Sequence, residues 1–454
     1  MGLPNSHVRL IWDGFSGHIR ISRSDSPQHN RGMNKLLRIL PLLAVLAIGA
    51  RPAHAETEGG PQSPLRINGF GTFGFTSTHA PDGWYLRRDA AQYPEPRSFA
   101  LDTDSRLGLQ AHYEVNPKLE LASQIVLKRR LPGSKPIESV EWLFAAYKPV
   151  GEVTIRVGRT NPDLFLLSDY RNVGVAYPWV RPNIELYAGL PLYAMDGADV
   201  SYVWNQHDSR WRLKAFAGSV DARATLATSS DQITFKLRSA GGMTLTHERE
   251  GLLFRATLCG ARMTAAAKPS TYAALGLLRS LEDHADPAVS AKARELDQKW
   301  GLDTDTAVFA ELGVSYDRDD WIWSAEYSRV GVNTGTRDAQ SGYVSLGRRL
   351  GDITVFGMVG RTLSSLGVVS APDWSSLGGL YQTLGQRVSY GINGSRARQS
   401  SLSLGARWDF HDQAALKVQW DHFWVSENGG GLWVGPSLGA AQPHVLSATV
   451  DFTF

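Results

Sequence analysis

The sequence has little cysteine, no long apolar run after its first fifty residues and no marked excess of either charge. Its 454 residues include one cysteine, Cys259, so no intrachain disulfide is possible, and we interpret Cys259 as a small filler in a strand. The formal net charge of +3 gives no electrostatic case for a nucleic-acid partner. The apolar run at 39–50 is too short for a membrane-spanning helix.

This apolar run lies between a basic segment and a site of small residues. Lys35 and Arg38 precede it, and the tripeptide AHA, which ends at Ala55, follows it. The arrangement is typical of a secretory signal peptide, so we predict export and cleavage after Ala55. Translation starts at either Met1 or Met33. The predicted segments are an upstream extension at 1–32, a signal peptide at 33–55, a short periplasmic lead at 56–64 and one large domain at 65–454.

Alternation of apolar and polar residues dominates the sequence from residue 65 onward. In LRINGFGTFGF, which begins at Leu65, Ile67 and Phe73 fall on one face and Arg66 and Thr72 on the other. Alternation over about ten residues indicates a β-strand, and a tilted strand of that length crosses a bilayer. The sixteen predicted strands are 65–76, 104–114, 118–129, 138–148, 152–160, 195–204, 210–219, 239–248, 251–262, 306–316, 321–330, 341–349, 352–362, 400–410, 414–425 and 444–454.

The connections between these strands are alternately short and long. The short ones are 114–117, 148–151, 205–209, 248–251, 317–320, 347–352 and 411–413. The long ones are 77–103, 130–137, 161–194, 220–238, 263–305, 331–340, 363–399 and 426–443. This asymmetry is typical of a transmembrane antiparallel β-barrel of the all-β class in an outer membrane. Barrels of 14 or 18 strands and a soluble sandwich are the alternatives.

The segment SATVDFTF, which ends at Phe454, reads as a strand. In a closed barrel the last strand pairs with the first, because a free edge would leave backbone polar groups unpaired in lipid. We therefore expect 444–454 to pair with 65–76. Aromatic residues near strand ends predict a girdle at the membrane interface, with a few of them facing the lumen instead. They are Trp142, Tyr147, Trp211, Trp321, Trp323, Trp408, Trp420 and Trp424.

Charged residues fall on the polar faces of the predicted strands, which indicates a lumen that contains water. The basic ones are Arg66, Arg106, Lys128, Arg156, Arg212, Lys214, Arg255, Arg407 and Lys417. The acidic ones are Glu114, Glu120, Glu141, Glu311, Glu326, Asp409 and Asp421.

Two long connections carry signals of their own. The loop at 161–194 is rich in proline and aromatic residues, and a loop so apolar must pack against something. The segment 270–300, inside the connection 263–305, has the leucine spacing of a helix–loop–helix. We interpret it as an extracellular insert packed on the barrel mouth, with a partner-binding or plugging element as the alternative.

The sequence shows no sign of a catalytic or metal site. The motif GFGTFG at 69–74 lies inside a predicted strand and is not followed by a helix, so it does not indicate a nucleotide site. The histidines have no metal-ligand spacing, and G-x-S-x-G is absent. We expect no cofactor, no metal and no enzymatic activity.

The chain from the first predicted strand to VDFTF resembles the Gram-negative trimeric porin superfamily, and it is most similar to the porin-like outer-membrane proteins of proteobacteria. In such porins the loop after the fifth strand folds into the lumen and narrows it. The resemblance implies constriction residues in this loop: Asp163, Asp169, Arg171, Arg181 and Glu185. It also implies a facing basic cluster of Arg66, Arg106 and Arg156, and a basic wall that further includes Arg212, Arg255 and Arg407. The mixed segment PWVRPNIE and the helical insert depart from the usual pattern.

The expected function is passive diffusion of small hydrophilic solutes through the outer membrane of a Gram-negative bacterium, with a mild preference for anions. The expected partners are outer-membrane lipid, lipopolysaccharide and two further copies of the chain. A channel specific for carboxylates or sugars is one alternative, with an Arg-rich eyelet or an aromatic slide of Tyr177, Trp179 and Tyr187. A plugged adhesin or scaffold barrel and an outer-membrane hydrolase are the others.

Overall fold

A computed structural model describes residues 9–13, 18–22, 63–81, 83–92, 97–225, 232–300, 305–332, 338–435 and 439–454. The predicted signal peptide at 33–55 lies outside the described residues. Within the predicted upstream extension, Arg9–Asp13 pairs with His18–Ser22 in a separate antiparallel sheet. No helix among the described residues is long and apolar enough to cross a membrane.

Sixteen long antiparallel strands form a closed barrel, as the sequence predicts. They are β1 (Leu65–His79), β2 (Arg106–Asn116), β3 (Leu119–Lys128), β4 (Val140–Tyr147), β5 (Val153–Thr160), β6 (Met195–Gln206), β7 (Ser209–Thr225), β8 (Gln232–Arg249), β9 (Leu252–Ala266), β10 (Asp305–Arg318), β11 (Trp321–Val332), β12 (Ala339–Leu350), β13 (Ile353–Ser364), β14 (Ala397–His411), β15 (Ala414–Gly430) and β16 (His444–Thr453). Each predicted span overlaps one observed strand. The short strand Phe99–Ala100 also pairs with the upper part of β1.

The barrel closes between β16 and β1. Their register runs from His444 opposite His79 to Thr453 opposite Phe70. Beyond it, the Gly69 amide donates to the Phe454 carbonyl at 2.8 Å, and the Phe454 amide donates to the Gly69 carbonyl at 3.0 Å. The predicted pairing of the last strand with the first is therefore confirmed.

The two ends of the barrel differ, as predicted. Six of the seven turns at one end have two residues between strands, and the seventh, at 148–152, has five. Tight two-residue turns need a positive φ, and Gly251 (φ 83°) and Gly351 (φ 65°) supply it at no steric cost. The opposite end carries the long loops. We call the first the short-turn end and the second the long-loop end.

The prediction of a long loop at 220–238 is wrong. Strand β7 continues to Thr225 and β8 begins at Gln232, so most of this segment is strand. The register shifts between Gly218 and Val220 and between Arg238 and Gly241. Because a bulge changes which residues face inward, the alternation is interrupted and the sequence pattern no longer reads as one strand.

Three helices pack together at the long-loop end. They are α2 (Pro269–Arg279), α3 (Pro287–Trp300) and α4 (Gly379–Gly394), and the predicted insert forms the first two. The short helix α1 (Ile184–Tyr187) belongs to an earlier loop and is not part of this group. Helix α4 was not predicted, although Leu384, Val388 and Ile392 have helical spacing. These residues share a core with Leu278 of α2 and Leu296 of α3. The insert therefore packs on the loop between β13 and β14 at the barrel mouth.

The barrel has its polar residues inside and its apolar residues outside. On the outer surface, Leu258 and Leu312 are 61% and 63% exposed, among many large apolar side chains. In the interior, Lys417 and Asp451 are fully buried. A soluble sandwich would have the reverse distribution, so the polarity favours a barrel surrounded by lipid.

Most of the predicted girdle faces outward. Five of its members are exposed on the outer surface: Tyr147, Trp321, Trp408, Trp420 and Trp424. Trp211 and Trp323 are half-buried. Trp142 is buried and contacts Phe144, so it does not belong to the girdle.

Arginine in place of Leu312 should destabilise the barrel in lipid by about 2–4 kcal/mol, because the side chain lies midway along β10 on the outer face. The measurement is the free energy of unfolding from phospholipid vesicles in a denaturant titration. The control, Asp283→Arg, changes a side chain that is 98% exposed on the helical insert and should have little effect. Equal effects of the two substitutions would contradict a lipid-facing surface.

Candidate functional site: the loop inside the barrel

The loop between β5 and β6, at 161–194, lies inside the barrel and is almost completely buried. From 161 to 188, all residues are buried except Asp169, Tyr170 and Ala176, which are partly exposed. Its only α-helical turn is α1, which Asn183 caps by accepting a hydrogen bond from the Leu186 amide at 3.1 Å. We call the segment 161–194 the inner loop.

Asp163 anchors the inner loop to the barrel wall at β7 and β9. Its carboxylate pairs with Arg255 of β9 and lies 3.2 Å from the Arg212 guanidinium and 3.6 Å from the Lys214 ammonium. Its backbone carbonyl accepts a hydrogen bond from the Thr244 hydroxyl at 2.9 Å. One buried carboxylate therefore contacts three cations of the wall, two of which also face a wall carboxylate: Arg255 faces Glu311 at 3.7 Å and Lys214 faces Asp199 at 4.0 Å. Loss of these contacts would leave buried charges unpaired, which fixes the position of Asp163.

Arg181 anchors the inner loop on the opposite side. Its guanidinium donates to both carboxylate oxygens of Asp104, at 3.1 and 2.6 Å, and to Asp421 of β15 at 2.8 Å. It also donates to the Ser447 hydroxyl of β16 at 2.5 Å. Asp104 belongs to the connection between β1 and β2, so one arginine joins that connection, the wall and the inner loop.

Three cations of the wall donate to the backbone of the inner loop. Lys417 donates to the carbonyls of Gly174 (2.6 Å) and Trp179 (2.8 Å). Arg407 donates to Val175 (2.7 Å), and Arg106 to Asn172 (2.5 Å). These bonds satisfy carbonyls that the irregular loop backbone would otherwise leave unpaired. The wall thus replaces the water that an exposed loop would use.

Carboxylates hold the remaining parts of the inner loop. Glu326 of β11 accepts hydrogen bonds from the Leu166 amide (2.8 Å) and from the Tyr187 hydroxyl. Glu185 of the loop itself accepts from Gln399 (2.7 Å) and Ser401 (2.8 Å) of β14. The loop is therefore attached to the wall at several points around the ring.

The structure places the predicted constriction residues in different surroundings. Asp163, Arg181 and Glu185 are buried anchors, and Asp169 is partly exposed. Arg171 stacks on the Tyr193 ring, 3.5 Å from its centre, inside the loop. These five residues therefore do not share one open eyelet.

The basic wall residues do not form the predicted cluster opposite the loop carboxylates. Arg106 donates to the Asn172 carbonyl and the Tyr177 hydroxyl of the inner loop. Arg156 pairs with Asp199 of β6 at 2.8 Å, and Arg66 has no hydrogen bond to the inner loop among the described residues. The cations that meet Asp163 are instead Arg212, Lys214 and Arg255, as described above.

The predicted aromatic slide is part of the packed interior. Tyr177, Trp179 and Tyr187 are each at most 5% exposed, and Trp179 and Tyr187 contact the ring of Tyr343. They form a core that stiffens the inner loop and do not present a surface to a passing solute.

Several anchoring residues were missing from the predicted site. Lys214, Lys417 and Glu326 lie on the predicted polar strand faces, so the alternation contained their signal. Asp104 and Asn172 lie in irregular segments where no pattern singles them out. Among the described residues, no group of three or more His, Cys, Asp or Glu side chains could hold a metal ion.

Replacement of Arg181 by methionine should lower the free energy of unfolding by about 3–5 kcal/mol, because Asp104 and Asp421 would remain buried without their cation. A denaturant titration in lipid vesicles measures this loss. Arg294→Met is the matched control, since its pair with Asp283 is exposed and should contribute little. A loss no larger than that of the control would show that Arg181 does not anchor the loop.

No protein-family model and no curated protein matches the chain. Among solved structures, it is similar to OmpT of Vibrio cholerae (11% identity, 87% of this chain and 99% of that one, TM-score 0.46) and to an anion-selective porin from Comamonas acidovorans (12%, 86% and 100%, 0.48). It is also similar to OmpF of Salmonella typhi in complex with daunomycin (12%, 86% and 97%, 0.48). At these values the likeness carries no argument about pore, solute or assembly, for which the geometry of this chain is the evidence.

Proposed function

We propose that the protein is an outer-membrane channel for small solutes. The observation that carries the proposal is the closed sixteen-stranded barrel with apolar side chains outside and charged side chains inside. Lipid is the solvent that suits the outer surface, and a charged interior serves the passage of polar molecules. Several charged lumenal groups hold the inner loop, and we propose no enzymatic role.

The burial of the inner loop supports a channel that is narrow at rest. A loop beside an open, water-filled eyelet would expose one side, whereas only three residues from 161 to 188 are even partly exposed. We propose that the inner loop acts as a gate, and that hydrophilic solutes diffuse passively past it when it shifts.

The exposure of ion-pair partners supports a mild preference for anions. The side chains of Arg156 and Arg212 are 17% and 18% exposed, whereas their partners Asp199 and Asp163 are at most 1% exposed. A solute near these pairs therefore meets the guanidinium groups and not the carboxylates, which favours negative charge.

The partners proposed for this channel are outer-membrane lipid, lipopolysaccharide and two further copies of the chain. The homotrimer rests on the sequence resemblance alone, and cross-linking of the folded protein in vesicles tests it. The buried inner loop also favours a second candidate function, a closed barrel that serves as an adhesin or scaffold.

Single-channel recording of residues 56–454 in a planar bilayer tests the gate. We expect small or infrequent steps, and larger steps from the double variant Asp163→Asn, Arg181→Met, which loses two anchors of the loop. Heat-modifiable electrophoretic mobility verifies that both proteins are folded. Large steps from both would exclude the loop as a gate, and silence from both would support the adhesin or scaffold.

The reversal potential in a salt gradient tests the selectivity of the open steps. We expect anion preference in the parent, and a shift toward cations when Arg156 and Arg212 are both replaced by serine. Arg294→Ser removes one guanidinium charge from the helical insert, away from the lumen, and should not change the reversal potential. A parent that prefers cations would contradict the role of the wall arginines.

A further inference from the structure

The interior of the barrel changes from charged to apolar partway along β7 to β11. Strand register places Lys214, Thr257 and Glu311 at one level facing inward. Two residues further toward the long-loop end, the inward side chains at the next level are Phe216, Cys259 and Phe309. Water-filled lumens have polar walls, so the apolar side chains at this level are better suited to contact with an apolar group than with water.

The apolar walls enclose a cavity of about 340 Å³ above the inner loop. Phe216, Phe235 and Phe309 line it from the wall, and Leu164 and Leu186 line it from the inner loop. The volume lies within the range of small-molecule binding sites, and walls of this kind hold water poorly. We call this cavity the upper chamber.

Two charged residues line the upper chamber, Arg87 and Glu185. Arg87, in the connection between β1 and β2, donates to the carbonyls of Thr225 (2.9 Å), Gly431 (2.8 Å) and Leu432 (3.3 Å) and to the Thr225 hydroxyl (2.7 Å). All these acceptors are neutral, so an anionic head group would share or replace some of these bonds. Arg87 is 3% exposed, and no described carboxylate forms an ion pair with it. Burial lowers its pKa to about 10, although Asp89 partly opposes this effect. The guanidinium is therefore charged at neutral pH.

We propose that the upper chamber binds small amphipathic anions, with the apolar body among Phe216, Phe235 and Phe309 and the anionic head group at Arg87. Transfer of the apolar body from water supplies the driving force, and pairing with a buried guanidinium selects the charge. Glu185 accepts hydrogen bonds from three neutral donors in the chamber floor and would repel a carboxylate placed there, which orients the head group toward Arg87. Binding does not depend on conduction, so it can be tested in a barrel that passes no current.

Cys259 provides a native probe because it lines the upper chamber and is the single cysteine of the sequence. We would measure its reaction with N-ethylmaleimide in the folded full-length barrel by intact mass. At ten times its Kd, 1-naphthoate should slow the labelling about tenfold. The neutral 1-naphthamide should protect less at equal concentration, and succinate should not protect. Equilibrium dialysis of 1-naphthoate against the protein and against empty detergent measures binding directly if the thiol reacts slowly.

The control variant places a cysteine on the outer face. Leu258→Cys with Cys259→Ala moves the thiol to the neighbouring, lipid-facing position. Naphthoate should not slow its labelling beyond the effect of partition into detergent. Equal protection of both positions, or dialysis without excess binding to the protein, would overturn the proposal.

Two substitutions locate the ligand. Ala261→Phe fills the upper chamber and should abolish protection by both naphthalene compounds. Arg87→Gln should remove the advantage of naphthoate while 1-naphthamide still protects, which also shows that the chamber has remained intact. Unchanged protection in Ala261→Phe would overturn the location, and an undiminished naphthoate advantage in Arg87→Gln would overturn the role of the guanidinium.

Discussion

The pairing of backbone polar groups in a medium without water is the constraint from which the rest of this structure follows. A strand in hydrocarbon must form hydrogen bonds to a neighbour on each side, so the sheet has to close. Here β16 pairs with β1, and the pairing extends to two hydrogen bonds between Gly69 and Phe454. Closure creates an outer face that carries mainly apolar side chains and an inner face shielded from lipid. The alternation along each strand then sends its charges inward.

Charged side chains inside the barrel need partners, and the inner loop supplies some of them. The dependence is mutual: Asp163 pairs with Arg255 of the wall, whereas Lys417 of the wall satisfies loop carbonyls that lack a regular partner. Without the other, the wall would have buried cations with fewer partners and the loop would have unpaired backbone carbonyls. A shift of the loop must therefore exchange several bonds together, which favours two discrete arrangements over gradual widening.

The strands and the overall polarity could be predicted from the sequence because both depend on local alternation. In β1, for example, Ile67 and Phe73 lie on one face and Arg66 on the other. The sequence did not show which charged residues would form ion pairs with each other. The partnership of Arg181 with Asp104 joins two irregular segments, and no periodicity links them. The bulge between Arg238 and Gly241 also removed Phe235 from the alternation that identified β8.

That bulge has a chemical consequence. Below it, Thr244 and Thr246 face inward from even positions, whereas above it the inward side chains are Ile233, Phe235 and Leu237 at odd positions. The exposed Lys236 and Arg238 would face the lumen if the alternation continued unbroken. The change of register therefore turns Lys236 and Arg238 away from the lumen, and apolar side chains line the upper chamber in their place. The channel proposed above would therefore present passing solutes with an apolar surface on β7 to β11 next to the charged level, and an amphipathic anion would be retained there longer than a uniformly hydrophilic solute.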